Sequence, residues 1–296
     1  MKPIEQFTRN QHHVPQFYLK EFAARKGRMI DVFDTLTNSI EKRSIEQVCS
    51  EPFLYEDRIG LGDGPDAFLQ PNRIENALKK EEDTQRPAIQ HAIAAATGGG
   101  NISDVDRSLI ADFVITTLLR EPDMLQYAAQ VLIEGTTATE ELNSYRSFIN
   151  AFFSKNRINT PTFDAFSSAA CKRIILEPDS SIGALCEPRN EMKRNLMSMG
   201  FSLLVSSKRE RFVTTSSPIT MRYGKPGPGQ HERLSILWVA LSPRVVALFG
   251  RQDLPPKEIV AKETVKLLNG IALRRAYKER GLVFASSRKV LEALET

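Results

Sequence analysis

The spacing of apolar and polar positions changes several times along the chain, and each change marks an element. Pro15 suits the first turn of a helix, where the N–H it lacks would have no partner, so Phe17, Leu19 and Phe22 read as an opening helix with His12 and His13 just ahead of it. Two extended runs, 26–34 and 39–44, flank the turn formers Thr35-Leu36-Thr37-Asn38 and predict a β-hairpin. Residues 44–49 read as a brief helix and 53–56 as an extended piece, followed by a Gly- and Asp-rich loop over 57–68 with the character of a lid. From Pro71 the period becomes helical: Ile74, Ala77 and Leu78, then Ile89, Ile93 and Ala96, until Gly98-Gly99-Gly100 stops it. Ser103, with Asp106 three residues on, is the expected N-cap of a further helix. Its Leu109, Ile110, Phe113, Val114, Leu118 and Leu119 are apolar nearly all round, as at the centre of a bundle. Helical stretches over 124–133, 139–153 and 162–175 follow, so 71–199 is expected to be almost purely helical.

Near Gly200 the period shortens to that of strands. Runs over 201–205, 211–215, 219–221, 234–241 and 244–249 are rich in β-branched and aromatic residues and predict an antiparallel meander. Gly224-Lys225-Pro226-Gly227-Pro228-Gly229-Gln230 interrupts it as an exposed loop. A basic amphipathic helix over 259–280, a strand over 282–285 and a short helix over 287–294 close the chain. The expected class is α+β: an N-terminal helix and hairpin in 1–70, a helical bundle in 71–199, and an antiparallel sheet with packing helices in 200–296, together one compact unit.

Composition narrows the function only by exclusion. With 41% hydrophobic and 26% charged residues in 296, the chain can bury a large core and is not disordered. The net charge of +4 is spread without a run of five or six basic residues, which permits a nucleic-acid or anionic partner but favours the reading of a plain solvated surface. No apolar run approaches the roughly 18–20 residues of a membrane span, and Met1-Lys2-Pro3-Ile4-Glu5-Gln6 lacks the apolar centre of a signal peptide. The cytoplasm is therefore the expected location, with no membrane partner. Cys49, Cys171 and Cys186 are odd in number and widely spaced, so they are read as reduced and structural. No P-loop, G-x-G-x-x-G or G-x-S-x-G pattern supports a nucleotide-binding or α/β-hydrolase fold.

Several segments together carry a resemblance. Gln11-His12-His13-Val14-Pro15-Gln16-Phe17-Tyr18-Leu19, the helix from Ile74-Glu75 through Glu82 to Pro87, Leu119-Arg120-Glu121-Pro122, Ala240-Leu241-Ser242-Pro243-Arg244, Asn269 and Phe284-Ala285-Ser286 occur in an order that resembles a large, mostly bacterial family, domain of unknown function 4238. The resemblance covers nearly the whole chain and implies no particular reaction, since the family carries none that is established. One departure stands out. Where the family has Ser-Asp-x-Pro, this chain reads Thr215-Ser216-Ser217-Pro218, so a carboxylate that could be catalytic, or could simply cap a turn, is replaced by a hydroxyl.

Each candidate for chemistry has a plainer reading beside it. His12 can act as base, acid or metal ligand, or can pack against Tyr18 and Phe22. Glu75 and Glu82, two helical turns apart, put both carboxylates on one face about 10 Å apart. They either hold a divalent ion with His12 or form a solvated face with Lys79 and Lys80. Arg120 ends an apolar helix and Arg244 follows a Ser-Pro junction; both can clamp a phosphate or carboxylate, or pair with a structural glutamate. Asn269 reads mainly as a helix-to-sheet hydrogen-bonding residue. Pro178-Asp179 with Glu191-Met192-Lys193 has residue types of a metal-nuclease core, but Glu191 falls in a helical stretch and not on the strand such a core uses. The leading expectation is an enzyme acting on nucleic acid or another phosphate ester, in phage defence or as a toxin. His12, Glu82, Arg120 and Arg244 are its catalytic candidates, Tyr18, Glu75, Ser216 and Asn269 its binding candidates, and a divalent metal its candidate cofactor. The competing expectation is a non-catalytic binding or immunity protein that meets a protein partner through the C-terminal sheet and its Gly-Pro loop.

Overall fold

Capping and turn chemistry set the elements where the sequence places them. A computed structural model describes residues 7–24, 27–56, 72–123, 187–207, 209–224 and 234–294, and its class is α+β. The helices expected over 124–175, the loops at 57–68 and 225–230, the turn at 176–181, Cys171 and Cys186 lie outside the described residues.

The opening helix is α1 (Gln16–Lys20), with Pro15 at its N-cap. Two long helices follow, α2 (Arg73–Gly98) and α3 (Asp104–Arg120). α2 carries Pro87 inside it and ends with Gly99 at φ 95, a conformation that favours glycine. α3 begins with a reciprocal cap: the Asp106 N–H donates to Ser103 Oγ at 3.1 Å, and the Ser103 N–H to Asp106 Oδ2 at 3.0 Å. Later come α4 (Glu187–Ser198), α5 (Lys262–Glu279) and α6 (Arg288–Glu292).

The expected hairpin forms from β2 (Met29–Asp34) and β3 (Ser39–Ser44). Asp34 Oδ1 accepts the Leu36 N–H at 3.0 Å and the Thr37 N–H at 3.4 Å, and Asn38 adopts φ 53, so the turn uses an aspartate and an asparagine as such turns prefer. Short β1 (Asn10–His12) and β4 (Ser50–Pro52) make a two-stranded ribbon. The meander appears as β7 (Thr220–Tyr223), β8 (Leu234–Ser242) and β9 (Val245–Gly250), joined by β5 (Gly200–Ser206) and β10 (Lys257–Val260) in the order β10-β5-β9-β8-β7.

Four readings of local structure change. Residues 45–49 form turns instead of a helix, with Cys49 at φ 54, and 53–55 turn as well, with Phe53 at φ 57. Lys257–Val260 is not helical: Ile259 and Val260 lie in β10, which runs parallel to β5, so the five-stranded sheet is mixed. Of the run 211–215 only β6 (Thr214–Thr215) is strand. β6 and β11 (Leu282–Ala285) leave the meander altogether and pair with the hairpin in a second sheet, ordered β3-β2-β11-β6. On one face of that sheet Phe33, Val213, Val283 and Ala285 form a core with Ala276 of α5 and Leu291 of α6.

The chain divides into two compact units that do not follow sequence order. One is Met1–Gln11, Glu51–Glu81 and Leu119–Arg189; the other is His12–Ser50, Glu82–Leu118 and Asn190–Thr296.

Candidate functional site

In the second unit, three of the residues marked for binding converge on one short segment. Tyr18 on α1 is fully buried against Phe22 and Phe113, and its hydroxyl lies 2.6 Å from Thr214 Oγ1 on β6. Burial pushes the Tyr18 phenol well above its ordinary value, and the Thr214 bond only partly opposes it, so this hydroxyl stays protonated and cannot serve as a base near neutral pH. Asn269, inside α5, accepts the Val213 N–H at Oδ1 (3.1 Å) and donates through Nδ2 to the Arg211 carbonyl (2.8 Å). One amide thereby satisfies both polar groups of a backbone stretch that belongs to no strand.

Ser216 completes the cluster. Its N–H donates to the Leu282 carbonyl at 2.9 Å, and its Oγ accepts the Leu282 N–H at 3.0 Å, which extends the β6–β11 pairing past the end of β6. Next to it Thr215 Oγ1 accepts the Ser217 N–H at 3.2 Å and donates to the Ser217 carbonyl at 2.7 Å, closing the turn before Pro218. The hydroxyl at position 216 therefore does the work of a ladder acceptor. A narrow crevice lies over this segment, lined among others by Thr214, Pro218, Trp238 and Asn269.

The first unit holds a polar network centred on a residue to which the sequence assigned no role. Gln11 is fully buried; its Nε2 donates to Glu56 Oε1 at 2.6 Å and its Oε1 accepts the Tyr55 N–H at 2.7 Å. Glu56 Oε1 also accepts the Asn72 N–H at 3.0 Å, and Asn72 Oδ1 accepts the Thr8 N–H at 2.8 Å. Arg120, 1% exposed, donates through Nε to the Tyr55 hydroxyl at 3.1 Å, with its guanidinium carbon 5.9 Å from the ring centroid. Of these residues Arg120 was already a candidate, and Gln11 carried a signal in its place beside His12 in the opening pattern. Tyr55, Glu56 and Asn72 come from turns whose partners lie far off in sequence, and Asn72 is recognisable only afterwards, by its φ of 63.

The remaining candidates are divided between the two units. Arg120 and Glu75 belong to the first unit, while His12, Glu82 and Arg244 belong to the second. His12 is 6% exposed, with the Gln16 amide nitrogen 3.3 Å from Nδ1. Glu82 is half-buried on α2. Arg244 sits in the β8–β9 turn, just past a register shift between Ala240 and Ser242; its N–H donates to Ser242 Oγ at 3.2 Å, and its buried Nε meets no acceptor among the described residues. Cys49 is buried, which pushes its thiol up and keeps it an unreactive, protonated side chain. Among the described residues no group of three or more His, Cys, Asp or Glu is arranged to hold a metal ion, and no described helix is long and apolar enough to cross a membrane.

No curated protein and no solved structure matches the chain. The family described as "Protein of unknown function (DUF4238)" matches residues 10–289, from the first residue of β1 through the start of α6, which takes in all of both polar clusters except Thr8. The chain belongs to that family.

Proposed function

We propose that this chain is a non-catalytic binding protein that recognises a protein partner through the β7 edge of its five-stranded sheet. The observation that carries this reading is the edge itself: β7 is the last strand of the sheet among the described residues, and Arg222 and Tyr223 on it are both exposed, Tyr223 at 53%. An edge strand offers unpaired N–H and C=O groups to an incoming strand. Tyrosine and arginine are the side chains that most often anchor protein interfaces. Tyr18, Asn269 and Ser216 add support from the other direction, because their polar groups are engaged in holding the segment 211–218. The test is photocrosslinking in cells from a benzophenone residue placed at Tyr223, with exposed Leu36 as the control position. One defined adduct at 223, lost on Arg222→Glu and absent from 36, supports the reading; equal capture from both positions sinks it.

A phosphate-ester or nucleic-acid processing enzyme is the second reading, favoured by the Nε of Arg244, a buried donor that an anionic oxygen would satisfy. On this reading His12 exchanges protons and Glu82 helps hold a divalent ion. The assay is hydrolysis of bis(p-nitrophenyl) phosphate and of single-stranded DNA and RNA with magnesium or manganese. Turnover that disappears in His12→Ala and in Arg244→Gln, in variants that unfold at the wild-type temperature, would replace the binding reading with this one.

A further inference from the structure

On the second, four-stranded sheet a groove of about 470 Å³ lies beside the start of α6, walled by Asp31, Lys42, Ser286, Ser287, Arg288 and Lys289 among others. Asp31 is the unusual member. It occupies β2, between its register partners Lys42 on β3 and Ala285 on β11, and is only 5% exposed. A carboxylate this deep in a sheet normally accepts several N–H or O–H bonds, because losing its water without them is costly. Here, among the described residues, no hydrogen bond or ion pair reaches the Asp31 side chain, which lines the groove, even though Lys42 stands directly across the strand pair. The groove rim is mainly of the opposite charge, with Lys42, Arg288 and Lys289 on it, and the carboxylate of its Glu41 is already engaged by Arg43. Among the described residues Lys42 and Lys289 are exposed ammonium groups with no ion pair, and Arg288 engages Glu292 through its Nε at 2.8 Å. Ser287 makes no side-chain bond to the helix it precedes, so its hydroxyl is open to the groove it lines.

The geometry points to this groove as a binding site for a small zwitterion, in which a primary ammonium donates to Asp31 and a carboxylate or phosphate lies among Lys42, Arg288 and Lys289. The volume is that of a small-ligand pocket and admits a free amino acid or an amino-phosphate. A ligand carrying only a cation would meet the rim lysines unfavourably, and one carrying only an anion would leave Asp31 without a donor. A zwitterion satisfies both ends at once.

The test is isothermal calorimetry and thermal shift on the full chain. Glycine, L-arginine and O-phosphoethanolamine serve as zwitterions, with putrescine and acetate as single-charge controls. Zwitterions are expected to bind at millimolar concentration or below and raise Tm, while the controls bind at least about tenfold more weakly. Asp31→Asn should weaken zwitterion binding about tenfold or more, and Lys289→Ala, at an exposed position that folding does not depend on, should weaken it severalfold. If Asp31→Asn does not fold, the Lys289→Ala result decides. Lys42→Ala separates the remaining alternative: tighter putrescine binding in that variant would make Lys42 the partner of Asp31 in solution and overturn the proposal. Absence of zwitterion binding at millimolar concentration, or affinities unchanged in Lys289→Ala, overturns it too.

Discussion

The two larger sheets bury similar cores by opposite means. In the five-stranded sheet β7, β8 and β9 follow one another in the chain and pair as neighbours, and β5 precedes them at the other side of β9. The four-stranded sheet is gathered from three remote places: the β2–β3 hairpin near residue 30, β6 at Thr214–Thr215 and β11 at Leu282–Ala285. A local meander needs only strand period and turn residues to form. A sheet of remote pieces needs side chains that hold each piece in place, and these are the residues that resemble functional ones in the sequence: Tyr18, Asn269 and Ser216. A polar residue at a fixed place in a family pattern is thus as readily a strut as a catalyst.

The largest expected effect lies in the five-stranded sheet. Gly200 opens β5 opposite Gly250, and a Cβ there would come within 1.7 Å of the Arg251 carbonyl oxygen and 2.9 Å of the Gln252 Cα. These are backbone atoms that cannot rotate away, so Gly200→Ala should cost about 3 kcal/mol or more by denaturant midpoint at unchanged m. A loss under about 1 kcal/mol would mean that the β5–β9 register is free to slip and that the meander is not pinned at this end.

The remote sheet should respond more gently and with coupling. A Cβ at Gly281 would meet Ser216 Oγ at 2.5 Å, a side-chain atom that can turn aside at the cost of its bond to the Leu282 N–H. Gly281→Ala should therefore cost about 2 kcal/mol in the wild type, and less than about 1 kcal/mol more when Ser216→Ala has already removed the hydroxyl. Strict additivity in the double-mutant cycle would show that the two residues do not meet and would remove Ser216 from its role as the acceptor beyond β6.

The smallest effect separates hairpin from assembly by pH. Burial alone would raise the Asp34 carboxyl, but the Arg43 guanidinium at 2.7 Å and the Leu36 and Thr37 N–H donors outweigh it and hold the group below the ordinary aspartate value. A carboxyl lowered on folding contributes stability that is fully present above its unfolded value and is lost as pH falls through its folded value. The Tm gap between wild type and Asp34→Asn should thus be constant near neutrality and narrow below about pH 4. A gap that widens in acid would reverse the sign and place Asp34 outside the turn network.

The sequence by itself determined the elements whose causes are local. The Ser103–Asp106 cap, the glycine stop after α2, the turn at Asp34 and Asn38, and the class α+β all follow from neighbours a few residues apart. It also supplied the candidates, since His12, Tyr18, Arg120, Arg244 and Asn269 were visible as polar groups among apolar ones. Only the tertiary structure decided what two of them, and Gln11 beside His12, bond to. A buried Tyr18 hydroxyl finds Thr214 196 residues away, the Asn269 amide finds Arg211 and Val213, and Gln11 finds Glu56, because a polar group without water must bond to whatever the fold brings near, and that neighbour has no fixed distance in sequence. The assignment of β6 and β11 to the hairpin sheet, the parallel pairing of β10 and the burial of Asp31 are of the same kind: strand period sets which residues face a core, while long-range closure of the chain sets which core they face.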